Sequence, residues 1–146
     1  MDFEIAKEKA VRYLVVAKKT EYEIRMKLKK SKFSDDTIDE VINYLTKIDY
    51  INDNEYVDAY IRQCMHLLNY SIFEIKQKLL QKGIKKYIIE EKVDKLKETD
   101  YENRLIQKLL AGKLKNIEEV KIKKYLYRRG LANSSFDFYE EWLYWK

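Results

Sequence analysis

Sliding the chain along itself by 51 residues lays Leu28 on Leu79, Ile24 on Ile75, Tyr22 on Phe73 and Phe33 on Ile84. A further step of 47 lays Ile75 on Ile122, Leu79 on Leu126, Gly83 on Gly130 and Ile84 on Leu131. One unit of about 50 residues thus recurs three times, the third copy being the most diverged. Three helices of about a dozen residues make a small core on their own, and stacking the copies buries the faces that one unit leaves exposed. The chain has no proline and only three glycines in 146 residues, so almost nothing in it breaks a helix. No Asn-Gly or Pro-Asp cluster marks a hairpin. The predicted fold is all-α: three tandem three-helix repeats, residues 1–53, 54–103 and 104–146, stacked into an elongated, curved rod.

Each copy reads as three helices. In the first copy "EIAKEKAVRYLVVAKK" leads, with Ala6, Ala10, Tyr13, Leu14 and Ala17 on one helical face. The second helix opens on a capping box, Thr20 to Glu23, in which a hydroxyl accepts an amide three residues on and a glutamate reaches back. Ser71 to Glu74 repeats that box, and "NIEE" (Asn116–Glu119) resembles it two residues ahead of the expected register. The second helix closes where a left-handed residue is wanted, at Gly83 and Gly130, with Lys32 at that place in the first copy. Third helices are predicted over "DDTIDEVINYLTKI", "YIIEEKVDKLKE" and "SSFDFYEEWLYWK".

Charge is sorted by helix type. The middle-helix stretches 20–33, 71–86 and 113–129 hold 17 of the 30 Lys and Arg but only 5 of the 25 acids. They carry +12 in a protein whose net charge is +5, and the third helices hold much of the compensating acid. Helix dipoles favour acids at helix starts and bases at helix ends. That preference fills only the last turn, whereas Arg25, Lys76 and Lys123 superpose near mid-helix. A basic face for polyanions is the expectation. The candidates are Arg25, Lys29, Lys30, Lys76, Lys78, Lys82, Lys123, Lys124, Arg128 and Arg129.

The joint "KIDYINDNEYVDAYIRQ" (Lys47–Gln63), followed by "SIFEIKQKLLQKGI", resembles the RecX family of bacterial recombination regulators. The resemblance rests on the turn Tyr50-Ile51-Asn52-Asp53, the aromatic helix of Tyr56, Ala59, Tyr60, Ile61 and Arg62, and the Lys-Gly-Ile ending, and it spans about residues 10–131. Lys32 departs from it, because glycine is common there. The resemblance implies three tandem three-helix repeats without enzymatic activity or cofactor. It also implies a protein that lodges in the groove of the RecA filament on single-stranded DNA and modulates, mostly by inhibition, strand exchange and ATP hydrolysis. A nucleic-acid-binding module without a recombinase partner, or a scaffold for an unrelated acidic protein, would suit the same charges. A monomer is expected, touching single- or double-stranded DNA as well as RecA.

Other features read more plainly. The opening "MDFEIAKEKAVRYL" is not a signal peptide, and no apolar run approaches the roughly 20 residues of a membrane span, so a cytoplasmic protein is expected. Cys64 and the sole histidine, His66, lack further ligands at zinc spacing. One histidine and no glycine-rich phosphate loop leave no catalytic set. Most of the 13 tyrosines fall at core spacing, and Tyr125 and Tyr127 are the pair to consider for base stacking. The tail "FDFYEEWLYW" reads as a last helix packing on the third copy.

Overall fold

The computed structural model describes residues 2–131, and every regular element among them is helical. In chain order these are α1 (Asp2–Val16), α2 (Glu21–Lys30), α3 (Asp35–Lys47) and α4 (Asp53–Gln63), the last running into a π-helical turn (Cys64–Leu68). Then come α5 (Ile72–Gln81), α6 (Lys86–Lys97), α7 (Tyr101–Ala111) and α8 (Glu119–Arg128). The helix expected over "SSFDFYEEWLYWK", and with it the packing of the aromatic tail, lies outside the described residues. The described residues form two compact units, residues 2–60 with 79–89 and residues 61–78 with 90–131. The chain changes unit inside α4, α5 and α6.

In the first unit α1, α2 and α3 pack on one another around Ala6, Ala10, Ile24, Leu28, Ile38, Val41, Ile42, Leu45 and Ile51. The two alanines on α1 let its backbone approach closely, and Ile24 with Leu28 supplies the inward stripe of α2. Burying a side chain such as Leu28 is worth about 1.5–3 kcal/mol relative to leaving it exposed. In the second unit the equivalent α5 and α8 positions, Ile75, Ile122 and Leu126, are buried along with Leu105, Ile106 and Leu110 of α7. The periodicity that aligned the copies is therefore the periodicity of burial.

Both early capping boxes form. Thr20 Oγ1 accepts the Glu23 amide at 3.2 Å while Glu23 Oε1 accepts the Thr20 amide at 3.0 Å. Ser71 and Glu74 exchange the same bonds at 3.1 and 2.8 Å. The "NIEE" box does not form. Helix α8 is capped at Glu118 with no side-chain bond, and Asn116 instead takes φ 66° in the turn before it. Glu118 is the residue the 47-residue step predicts, so the register holds while the hydroxyl is lost. Lys32, Gly83 and Gly130 all end their helices with left-handed φ, at 68°, 76° and 77°.

The caps also join one copy to the next. Thr20 Oγ1 donates to the Lys82 carbonyl at 2.7 Å, and Ser71 Oγ donates to the Arg129 carbonyl at 2.5 Å. Each carbonyl belongs to the residue just before a left-handed glycine. Against Gly83 lies Tyr22, so close that a Cβ there would sit 2.1 Å from the ring; a Cβ at Gly130 would sit 2.5 Å from the Phe73 Cβ and 2.9 Å from its ring. An acid from the following first helix completes each joint. Asp53 accepts the Glu21 amide at 3.0 Å, and Glu102 accepts the Ile72 amide at 3.1 Å. Thr20 and Ser71 are the polar residues fully buried among those described, and each hydroxyl both accepts and donates.

Candidate functional site

The ten predicted cations separate by what holds them. Arg25 donates to Asp39 at 2.7 Å and to Glu21 at 3.2 Å. The Asp39 hydrogen bond, with that of Glu21, outweighs partial burial and raises its pKa above the ordinary guanidinium value. Lys123 pairs with Glu119 at 3.3 Å, again four residues back. At the equivalent place in the second copy Ile72 replaces the glutamate, so Lys76 has no intrahelical acid one turn behind it. Three superposed cations thus meet three different surroundings.

Arg129 is spent on structure. Its guanidinium donates to Glu74 Oε1 at 2.8 and 3.1 Å, to the Asn69 carbonyl at 2.6 Å and to the Tyr125 hydroxyl at 3.1 Å. Burial alone would raise the Glu74 pKa, but the Arg129 bond and the Ser71 amide outweigh it and hold this carboxylate below its usual range. Tyr125 accepts a second bond from Lys113 at 3.2 Å. Although burial pushes its hydroxyl up, these two cationic donors bring its pKa below that of an ordinary tyrosine. Of the predicted stacking pair, then, Tyr125 is anchored within the unit. Tyr127 is 73% exposed.

Lys78 and Lys82 lie over rings. Lys78 Nζ is 6.0 Å from the Tyr70 centroid, and Lys82 Nζ is 5.8 and 5.3 Å from Tyr56 and Tyr60, which stack on each other. Lys29, Lys30, Lys124 and Arg128 are exposed, and Lys76 is half-buried.

Two of these cations meet in the second unit. A groove of about 530 Å³ runs between the start of α5 and the end of α8, lined by Phe73, Lys76, Lys97, Glu102, Tyr127 and Arg128 among others. It adjoins a shallower depression of about 390 Å³ formed by Lys121, Lys124, Tyr127 and Arg128. Glu102, its acid, is committed to the Ile72 amide. The sequence reading missed Lys97 and Lys121. Lys121 was legible, since it lies three residues before Lys124 and seven before Arg128 on one helix face. Lys97 was not, because it ends a helix whose other charges are evenly divided, three acids and three lysines.

In the first unit a separate cavity of about 430 Å³ is lined by Val11, Leu14, Val15, Lys19, Tyr50 and Tyr56 among others. Cys64 is buried and His66 exposed. No group of three or more His, Cys, Asp or Glu among the described residues could hold a metal ion. No helix among them is long and apolar enough to cross a membrane.

Two family models decide the kinship: RecX, first three-helix domain, matches residues 6–45, and RecX, second three-helix domain, matches 52–92. The chain belongs to the RecX family. Helices α1 to α3 fall in or across the first RecX match and α4 to α6 in or across the second, while α7 and α8 lie beyond both. The regulatory protein RecX of Caldanaerobacter subterraneus subsp. tengcongensis is 33% identical over 126 residues, covering 86% of this chain and 64% of that protein. That of Clostridium beijerinckii is 36% identical over 131 residues, covering 87% and 61%. The chain spans about three fifths of the length of these curated relatives. The crystal structure of RecX from Lactobacillus salivarius matches 99% of this chain and 98% of its own, with a TM-score of 0.83 and 27% identity.

Proposed function

We propose that this chain is a regulator, without catalysis of its own, that binds the RecA filament on single-stranded DNA in the cytoplasm. On this reading it inhibits strand exchange and ATP hydrolysis. The observation that carries the reading is membership of a family whose relatives bear the name regulatory protein, reached through two tandem three-helix domains. The chemistry agrees with it. Lys29, Lys30, Lys76, Lys124 and Arg128 offer charge to a polyanion, whereas Arg25, Lys123 and Arg129 answer acids of their own units. Repeated units contacting successive recombinase subunits would gain affinity through effective concentration. Blocked closure or extension of the filament would then lower ATP turnover.

The test mixes the protein with RecA, single-stranded DNA and ATP and follows phosphate release. Hydrolysis is expected to fall as the protein is titrated toward stoichiometric excess over filament. An unchanged rate at that excess overturns the proposal.

A further inference from the structure

We propose that the end of α2 and the start of α8 are two open halves of the copy-to-copy joint, shaped to fit a second copy of this chain. Lys32 on one half, with Glu118 and Val120 on the other, holds such chains apart. This concerns self-association and is separate from the filament reading.

The joint that the chain closes twice supplies the pattern. In each closed joint a buried hydroxyl, Thr20 or Ser71, donates to the carbonyl just before a left-handed glycine, and an aromatic side chain lies against that glycine. An acid in the first turn of the following copy's first helix accepts the next amide: Asp53 that of Glu21, Glu102 that of Ile72. The residues 51 before Asp53, Lys82 and Gly83 are Asp2, Ser31 and Lys32, and they form the open receiving half. Asp2 lies in the first turn of α1, and Lys32 has φ 68° against 76° at Gly83. Acid, carbonyl and backbone turn are all retained. Lys32 is exposed, whereas Gly83 and Gly130 are half-buried.

Side chains are what each open half has wrong. A Cβ at Gly83 would sit 2.1 Å from the Tyr22 ring, and Lys32 carries that Cβ. No ring can seat on the end of α2 as Tyr22 seats on Gly83. On the giving half, 47 residues past Ser71 and Phe73, Glu118 and Val120 stand in for hydroxyl and ring. An ionised carboxylate only accepts hydrogen bonds, so Glu118 against the Ser31 carbonyl would set two acceptors face to face. Val120 is 62% exposed and too short to cover a turn as Phe73 covers Gly130. Thr20 and Ser71 are fully buried in their joints, whereas Glu118 is exposed. A contact between unlike halves does not close on itself, so a chain with both halves competent would add further chains without limit. Blocking the halves prevents that growth, which is what the terminal units of a repeat array require.

The experiment uses variants of the whole chain and reads mass by analytical ultracentrifugation. Lys32→Gly opens the receiving half alone, and Glu118→Ser with Val120→Phe opens the giving half alone. Within one chain a joint closes at an effective concentration of order mM, so association between chains is read from about 0.1 to 1 mM protein. The parent and each one-sided variant should stay at the monomer mass. An equimolar mixture of the two one-sided variants should form a 1:1 dimer that grows no further. A chain carrying all three substitutions should form longer series that lengthen with concentration. Asp2→Ala in the Lys32→Gly partner should weaken the mixed dimer about tenfold, through loss of one charge-assisted bond to a helix start. Glu118→Thr with Val120→Tyr copies the other joint and should dimerise with Lys32→Gly in the same way. Positions 32, 118 and 120 are all exposed, so parent-like melting is expected of every variant. Mixtures that stay monomeric with both giving variants overturn the proposal. So does self-association of the parent, or a dimer that forms without Lys32→Gly, since either shows that Lys32 blocks nothing. A mixed dimer indifferent to Asp2→Ala places the contact elsewhere and overturns it too. RecA is absent throughout, so failure here leaves the hydrolysis test untouched, and failure there leaves this one standing.

Discussion

Glu74 does three things at once. It closes the α5 capping box, it receives Arg129, and it stands beside the buried Ser71 hydroxyl. Because its folded-state pKa is depressed, it binds protons more readily in the unfolded chain. Its contribution is present above the unfolded value of about 4.3 and is lost as pH falls through the lower folded value. Glu74→Gln, which keeps an acceptor for the Ser71 amide, should therefore destabilise the protein by about 1–3 kcal/mol at pH 7. The gap between variant and parent should narrow as the pH falls below the unfolded carboxylate value and through the lower folded one in urea melts. A gap that stays constant throughout the acid range would contradict the role given to the Arg129 pair. Asp53, at the matching joint of the first unit, has its pKa raised, chiefly by burial, so its linkage runs the other way and the variant comparison isolates Glu74. At this scale the sequence told cations from acids but not their commitments. Arg129 and Arg128 are neighbours in the chain, yet one is clamped to Glu74 and the other is open to solvent. That difference depends on an acid 55 residues away, which no local spacing reveals.

Helices were the most legible elements, because their apolar stripes and caps are local. The left-handed ends at Lys32, Gly83 and Gly130 were readable for the same reason. What the sequence hid is why two of these must be glycine. The sequence superposed Tyr22 on Phe73 without showing their role: each is half exposed and seats on the glycine ending the next copy's second helix. Lys32 tolerates a side chain because its requirement is backbone alone. Gly130→Ala should cost about 2–4 kcal/mol, left-handed strain plus overpacking against Phe73. Lys32→Gly should instead stabilise the protein by about 0.5–1 kcal/mol. In a double-mutant cycle, Phe73→Ala should recover the packing part of the Gly130→Ala loss, giving a coupling above about 0.5 kcal/mol in thermal melts. Additive losses would show that ring and glycine do not meet. The third copy marks the limit of local reading: "NIEE" has the composition of a cap, but Asn116 turns left-handed and α8 starts uncapped at Glu118.

Across the whole molecule, the repeat was visible because burial follows it, and so was the concentration of positive charge in the second helix of each copy. Less visible was how much of that charge is already answered. Arg25 and Lys123 each face a glutamate four residues back, which lowers the charge free for a partner without changing the count. Polyanion binding then rests on the remaining exposed cations, and each phosphate contact they make releases counterions. The direct measurement is the affinity of the full chain for the RecA filament on single-stranded DNA across a salt series from about 0.05 to 0.3 M. Binding should weaken steadily, with the Lys76→Ala, Lys124→Ala, Arg128→Ala triple variant weaker and less salt-dependent than the parent. Affinity that is flat across the series, or the same in parent and triple variant, would contradict a filament regulator that works through its basic surface.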